Sequence, residues 1–267
     1  STYGPGVSDV ELVETHAARV FLAGTRAYKI KKPVNLGFLD FSNREARRMA
    51  LETELALNAP AAPELYRRLV WITRAADGAL ALDGSGEPLE PVLEMRRFDQ
   101  DQLLDRLAQS GAVDGALARD LADAISESHA RAEPRGGADG AERIQSVLSK
   151  AARRCRAEPG APADRIEALG EALTRRLGEK AALLDARAAA GFVRRCHGDL
   201  HLNNIVLLEG RPVLFDALEF DDELATTDTL YDLAFLIMDL IHRDLGSPAA
   251  ALLSQYAARA GIWRAGG

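Results

Sequence analysis

The sequence predicts an α+β fold with two lobes, a small antiparallel sheet carrying one helix and then a larger, mainly helical half. Three observations predict it. Short runs that alternate apolar and polar residues, separated by turn residues, fill the chain up to Phe98. After Phe98, apolar residues recur at helical spacing. That helical half is interrupted once, at "RRCHGDLHLNNIVLLEGRPVLFDALEF" (194–220), where a dense polar run sits between apolar ones. The lobes are placed at residues 1–97 and 98–267, with a hinge at 92–98.

"VELVET", "ARVFLAG" and "RAYKIKKP" read as strands, the last two joined as a hairpin through "AGTR". Pro33 and the loop "NLGFLDF" end this part of the sheet. Ser42 with Glu45 three residues later reads as a capping box ahead of the helix "ARRMALETELALN". From Glu64 to Phe98 strand character returns around the turns "DG" and "GSGEP". Leu103, Leu104 and Leu107, then Leu117, Leu121 and Ile125, mark helices. "PRGGADGA" is a loop, residues 141–190 form an Ala- and Arg-rich helical stretch broken at "EPGAP", and "TLYDLAFLIMDLIHR" and "AALLSQYAARAG" are the closing helices. No internal repeat is present.

Composition narrows the function classes. The 267 residues are 47% hydrophobic and 27% charged, which suits a folded globular chain with an ample core. Net charge is −7 and no basic face stands out, so no nucleic-acid partner is expected. Cys155 and Cys196 are too few for a disulfide framework and lack metal-ligand spacing. No apolar run approaches the roughly 20 residues of a membrane span, and the first residues lack a signal-peptide pattern. The expected setting is the cytoplasm, with no membrane partner.

The polar run carries the chemistry. Phosphoryl transfer from ATP needs a carboxylate to accept the proton of the acceptor hydroxyl, oxygen ligands for Mg²⁺, and cations for the phosphates. His197-Gly-Asp199, with Asn204 five residues on, lets one carboxylate face the acceptor while an amide oxygen reaches a metal. Asp216, at the end of the next strand, holds the same metal from the other side. A polar loop capped by its own side chains is the alternative for an isolated H-x-D. The following strand-end Asp at this spacing favours the chemical reading.

"HGDLHLNNIVL", "LFDALEF" and "DTLYDLAF" resemble the aminoglycoside phosphotransferase and choline kinase family, whose fold is similar to that of the protein kinases. "THAARVFLAGTRAYKIKKPVNLGFLDFSNREARR" resembles most closely the phosphotransferase-like N-terminal module of bacterial proteins often fused to a P-loop ATPase. The resemblance runs from Val10 to Tyr256 and is weakest in the Ala-rich middle. It implies ATP and Mg²⁺ as cofactors, a small-molecule hydroxyl acceptor, and a fused or associated P-loop ATPase domain as partner. Asp199 would be the base, Asn204 and Asp216 the metal ligands, His197 an orderer of the loop, and Asp232 an acceptor of loop N–H groups. Glu219 follows Asp216 at a spacing seen in the family, its contact open between metal and substrate.

The resemblance also asks for a phosphate-gripping Lys and a helix carboxylate to hold it. Lys29 and Lys31 share one strand face. Ala27 precedes Lys29 there and leaves room for an adenine ring, so Lys29 is chosen, with Lys31 the alternative. A basic edge strand that discourages aggregation is the plainer explanation of "KIKKP". Glu52 lies two turns past Glu45, on a similar face, and is chosen as partner over Glu54 and Glu45, the last already assigned to the cap. "PVLEMRRF" reads as a hinge where adenine would bond backbone of Glu94 and Met95 or Arg96. Neither G-x-G-x-x-G nor G-x-x-x-x-G-K-[ST] occurs. The phosphate-covering turn falls on "ETHAAR", with Thr15 and His16 at its tip.

Two rivals stand beside this reading. A metal-dependent phosphoesterase would use His197, Asp199 and His201, but needs further ligand clusters that the sequence lacks; His16, His129 and His242 stand alone. His129, in "AISESHARA", is expected to be packed or bonded to a loop. A nucleotide-binding regulatory module would do no chemistry, and the full set of catalytic residue types speaks against it. The acidic segment "EFDDELATTDTLYD" would draw a cationic acceptor; equally, acidic residues are favoured at a helix N-terminus. Arg96, Arg97 and "SKAARRCRAE" point as well to anionic groups.

Overall fold

The computed structural model describes residues 9–35, 37 and 39–261. The opening residues, Leu36 and Phe38 of the "NLGFLDF" loop, and the residues after Gly261 lie outside it. In chain order come β1 (Val10–Glu14), β2 (Ala18–Ala23), β3 (Arg26–Lys31), α1 (Arg44–Asn58), β4 (Tyr66–Arg74), β5 (Leu80–Leu82), β6 (Glu87–Arg96) and α2 (Leu104–Gln109). The chain continues through α3 (Gly115–Arg131), α4 (Gly140–Ala157), α5 (Ala163–Ala189), β7 (Val193–Arg195), β8 (Ile205–Leu208) and β9 (Arg211–Leu214). It closes with α6 (Asp222–Ala225), β10 (Thr226–Asp228), α7 (Thr229–His242) and α8 (Gly246–Arg259).

By packing, the elements fall into two compact units. The first takes the described residues up to Val113 together with Leu202–Phe220. Its main sheet has six antiparallel strands in the order β1-β2-β3-β6-β4-β5. Gly24 turns β2 into β3 at φ +59°, a left-handed conformation that costs glycine little. α1 lays Leu51 against Leu22, Leu65, Leu93 and Met95, and Val206, Leu208 and Val213 of the β8–β9 hairpin complete that core. This shared core is why 202–220 groups with the sheet, where a contiguous division at 97/98 puts it with the helices. The start of α1 also differs from expectation. Asn43 is the N-cap, accepting the Ala46 N–H at 2.8 Å, while the Ser42 N–H donates to Asp40. Asn one residue nearer the helix caps at least as well as Ser, so Glu45 has no capping task and pairs with Arg48 instead.

The second unit holds Asp114–His201 and the described residues from Asp221 onward. α3 turns Leu121, Ala122, Ile125 and His129 inward, α7 buries Leu233, Leu236 and Leu240, and α8 buries Leu252 and Tyr256. β7 pairs with β10. α4 and α5 meet closely at Gly140, where a Cβ would lie 2.3 Å from the Leu184 carbonyl oxygen. Among the described residues no helix is long and apolar enough to cross a membrane.

Candidate active site

In the first unit, β3 presents Lys29 and Lys31 on one face, and both reach the same carboxylate. It belongs to Glu54. Lys29 Nζ lies 2.7 Å from Glu54 Oε1, and Lys31 Nζ 2.8 Å from Oε2. Glu52 does not take this place: it pairs with Arg48, as Glu45 does, on the solvent side of α1. Glu45 and Glu52 do share a helix face, but it is the wrong one. Arg47, Leu51, Glu54 and Asn58 form the buried stripe, and polar residues in phase with Leu51 were the sequence signal for Glu54 and Asn58.

Lys29 also meets Asp216, at 2.6 Å from Oδ1. Burial alone would lower the lysine's pKa; the Asp216 and Glu54 carboxylates outweigh it and hold the ammonium well above its ordinary value. Asp216 follows β9 with φ +60°, a left-handed conformation unusual for a residue with a side chain. Two buried side chains hold this turn. The Asp216 N–H donates to Tyr66 Oη at 3.0 Å, and the Ala217 N–H to Asn58 Oδ1 at 2.9 Å. Asn58 in turn donates to the Glu54 carbonyl at 2.9 Å. Burial, with Glu54 and Asp216 nearby, keeps the Tyr66 phenol far above its usual pKa and so neutral. The sequence reading missed Tyr66 and Asn58, because their roles depend on contacts more than 140 positions apart. Asn204 ends a 3₁₀ turn (Leu202–Asn204), is buried, and its carbonyl accepts the Phe215 N–H at 3.0 Å, one residue before Asp216.

The remaining expected nucleotide contacts are placed as follows. Ala27 is buried and pairs with Met95 across β3 and β6. Glu94 and Met95 are paired on both sides, to β3 and β4, and the Arg96 N–H donates to the Leu65 carbonyl at 2.8 Å. Arg96 therefore has no N–H to offer a base, because β6 runs through the middle of the sheet. The Glu94 side chain is held by Arg26 and Arg68. Thr15 closes the β1–β2 hairpin: its hydroxyl accepts the Ala18 N–H at 3.0 Å. His16 is exposed beside it.

In the second unit, the loop after β7 is built around Gly198, with φ +80°. The Gly198 N–H donates to Asp232 Oδ1 at 2.8 Å, and the Asp199 N–H to His197 Nδ1 at 3.3 Å. Asp199 Oδ2 lies 3.4 Å from His201 Nε2, and its side chain is 47% exposed. Asp232 is fixed from behind, where His129 Nε2 lies 3.0 Å from its Oδ2 and His129 Nδ1 lies 2.7 Å from the Tyr256 hydroxyl. Burial would raise the Asp232 pKa; the hydrogen bond and charge of His129, with His197 and the Gly198 N–H, reverse this and lower it. The buried trio His129, Cys196 and Asp232 has metal-ligand spacing. Its donors already serve this network, and Cys196 Sγ donates to the Thr227 carbonyl.

A folded pKa below 3.8 means that the stability from Asp232 is complete above that value and is lost as pH falls through the folded one. Asp232→Asn should therefore lower the melting temperature at neutral pH and flatten the acid limb of stability below about pH 4. Thermal melts across that range check it; parallel limbs for the two proteins would contradict it.

The acidic segment has partners of its own. Asp221 caps α6, Asp222 pairs with Arg195 at 2.7 Å, Glu223 with Lys150 at 2.9 Å, and Asp228 with Arg187 at 2.6 Å while capping α7. Asp221 and Asp228 thus cap helices as acidic residues at a helix N-terminus do, and Asp222, Glu223 and Asp228 each have a cationic partner.

Against known proteins, residues 26–266 match the model of the phosphotransferase enzyme family. Uncharacterized proteins of Mycobacterium tuberculosis and Mycobacterium bovis are 33% identical over 261 residues, 94% of this chain and 50% of theirs. The chain thus spans about half the length of the curated relatives it matches. Among solved structures, a choline kinase from Cryptosporidium parvum aligns with a TM-score of 0.57 at 11% identity, covering 97% of this chain and 75% of that one. An aminoglycoside phosphotransferase from Streptomyces rimosus, in complex with ADP and streptomycin, aligns at 0.52 and 21%, covering 96% and 87%. These likenesses concern the fold. With the family match extending over most of its length, the chain belongs to the phosphotransferase enzyme family.

Proposed function

We propose that the chain transfers the γ-phosphate of ATP, presented with Mg²⁺, to a hydroxyl group of a small molecule. The observation that carries this reading is Lys29, buried between Glu54 and the strand-end Asp216. A permanently charged ammonium beside a metal-type carboxylate is what a nucleotide's phosphates and their metal require. Family membership supports the reaction class, and the aminoglycoside and choline kinases of similar fold support a small hydroxylated acceptor.

In this reading Lys29 binds the phosphates. Asp216 and Asn204, hard oxygen donors whose backbones adjoin, would hold Mg²⁺. A Mg²⁺ ion held there would supply positive charge to offset that of the phosphates. Asp199 accepts the proton as the acceptor oxygen bonds to the γ-phosphorus and the bond to ADP breaks. His197 and Asp232 keep the Asp199 loop in one conformation. In this reading the setting is the cytoplasm and a fused or associated P-loop ATPase domain is the partner; that the chain spans about half the length of its curated relatives leaves room for such a domain.

The test is incubation with ATP, Mg²⁺ and a panel of hydroxylated metabolites and aminoglycosides, read by the mass gain of one phosphate. One phosphorylated acceptor that is absent with Asp199→Asn supports the reading. ATP consumption at the protein-free rate with every acceptor would sink it.

A further inference from the structure

Glu54 carries two lysines, and their other partners differ. Lys29 turns to Asp216 and Lys31 to Glu219, 2.5 Å from Oε1. Five charges therefore alternate in the order Asp216, Lys29, Glu54, Lys31, Glu219. The two ends of this chain have different surroundings. The Asp216 side chain is 39% exposed, whereas those of Glu219 and Lys31 are 9% and 4% exposed, and the Phe41 ring lies 5.5 Å from the Lys31 ammonium. A ligand from solvent meets the Lys29 end first.

An arriving phosphate must draw Lys29 toward itself. With no other cation, Glu54, fully buried, would be left with an uncompensated charge, which is among the costliest arrangements in a protein interior. Lys31 removes that cost because it stays on the second carboxylate oxygen. Its other contact has a separate effect. Asp216 keeps a left-handed backbone only while its surroundings enforce it. Tyr66 and Asn58 grip the amides of 216 and 217, and Lys31 pins the segment again at Glu219, three residues past Asp216.

We infer that Lys31 is a positioning residue, a standing counter-ion that fixes Glu54 and Glu219 so that Lys29 and Asp216 are left to the nucleotide, and that Glu219 is its anchor rather than a ligand for metal or acceptor. The inference rests on the phosphotransferase reading and divides the work of the two lysines within it.

The test measures ATP dissociation constants with Mg²⁺ by titration calorimetry, well below the melting temperature of the weakest variant. The proteins are wild type, Lys29→Met, Lys31→Met, Lys31→Arg, Glu219→Gln and Lys31→Met/Glu219→Gln. Lys31→Met and Glu219→Gln should each weaken binding about tenfold, and the double variant no more than Lys31→Met alone, the mark of one coupled unit. Lys31→Arg, which keeps the charge, should stay within about threefold of wild type, and Lys29→Met should lose about a hundredfold or more. Multiplying losses in the double variant would show Glu219 acting independently and overturn the inference. Tighter binding by Glu219→Gln would make Lys31 a phosphate ligand restrained by Glu219, and would overturn it too. If Lys31→Met does not fold, Glu219→Gln decides: weaker binding supports the inference, unchanged or tighter binding defeats it. Wild type failing to bind ATP would instead remove the phosphotransferase reading, and the inference with it.

Discussion

On the proposed function, changing Asp199 to Asn should lower phosphate transfer by about two to four orders of magnitude while leaving ATP binding in place. The substitution keeps the shape of the side chain and removes its ability to accept a proton. It leaves the supports of the loop intact, since the Gly198 N–H still donates to Asp232 and the residue's own N–H to His197. The loss should therefore appear in kcat, with little change in ATP affinity or melting temperature. Initial rates with an identified acceptor, beside a nucleotide titration, check it. A variant as fast as wild type would eliminate Asp199 as the base, and one that no longer bound ATP would move its role from proton transfer to nucleotide binding.

The second large effect is at Glu54. Alanine there strands Lys29 and Lys31, both buried, without their shared carboxylate. Removing one partner of a buried ion pair typically costs about 3–5 kcal/mol. For a chain of this size that corresponds to a fall in melting temperature of roughly 10 °C, at about 2–4 °C per kcal/mol. Asp216 and Glu219 soften the loss by retaining one lysine each, so the lower part of that range is expected. ATP binding should fall as well, because Lys29 would be left with Asp216 alone. Glu52→Ala is the control two residues away. Its contact with Arg48 is exposed, and exposed ion pairs contribute about 0–1 kcal/mol. Equal melting temperatures for Glu54→Ala and Glu52→Ala would contradict the burial argument.

Much of this site was legible before any coordinates. The alternation of "RAYKIK" put Lys29 and Lys31 on one strand face, and that face is where both are found. The strand "VLF" put Asp216 at a strand end, where it is found; that Lys29 meets it there came from the structure. Asp232 was expected to hold the loop, and its carboxylate accepts the Gly198 N–H. His129 was expected to be packed or loop-bonded, and it braces Asp232. Local chemistry failed where two similar residues competed. Ser42 and Asn43 both cap well, and Glu52 and Glu54 lie two residues apart on α1, one facing solvent and the other the strand.

The sequence by itself determined most of the element types, the sheet before the helices, the polar loop and the pair of lysines, because these follow from periods of two and 3.6 and from turn chemistry that acts over a few residues; the short strands β7 and β10, which need each other, are not among them. Only the tertiary structure decided which face of α1 is buried, and with it that Glu54 rather than Glu52 meets the lysines. It alone decided that Tyr66 and Asn58 hold the strained turn at Asp216, that Lys31 closes on Glu219, and that Asp222, Glu223 and Asp228 pair with Arg195, Lys150 and Arg187. The reason is that a helical period fixes which residues share a face but not which face meets the core. Buried charge selects its partners by distance in space, and those distances are set by packing between segments far apart in the chain.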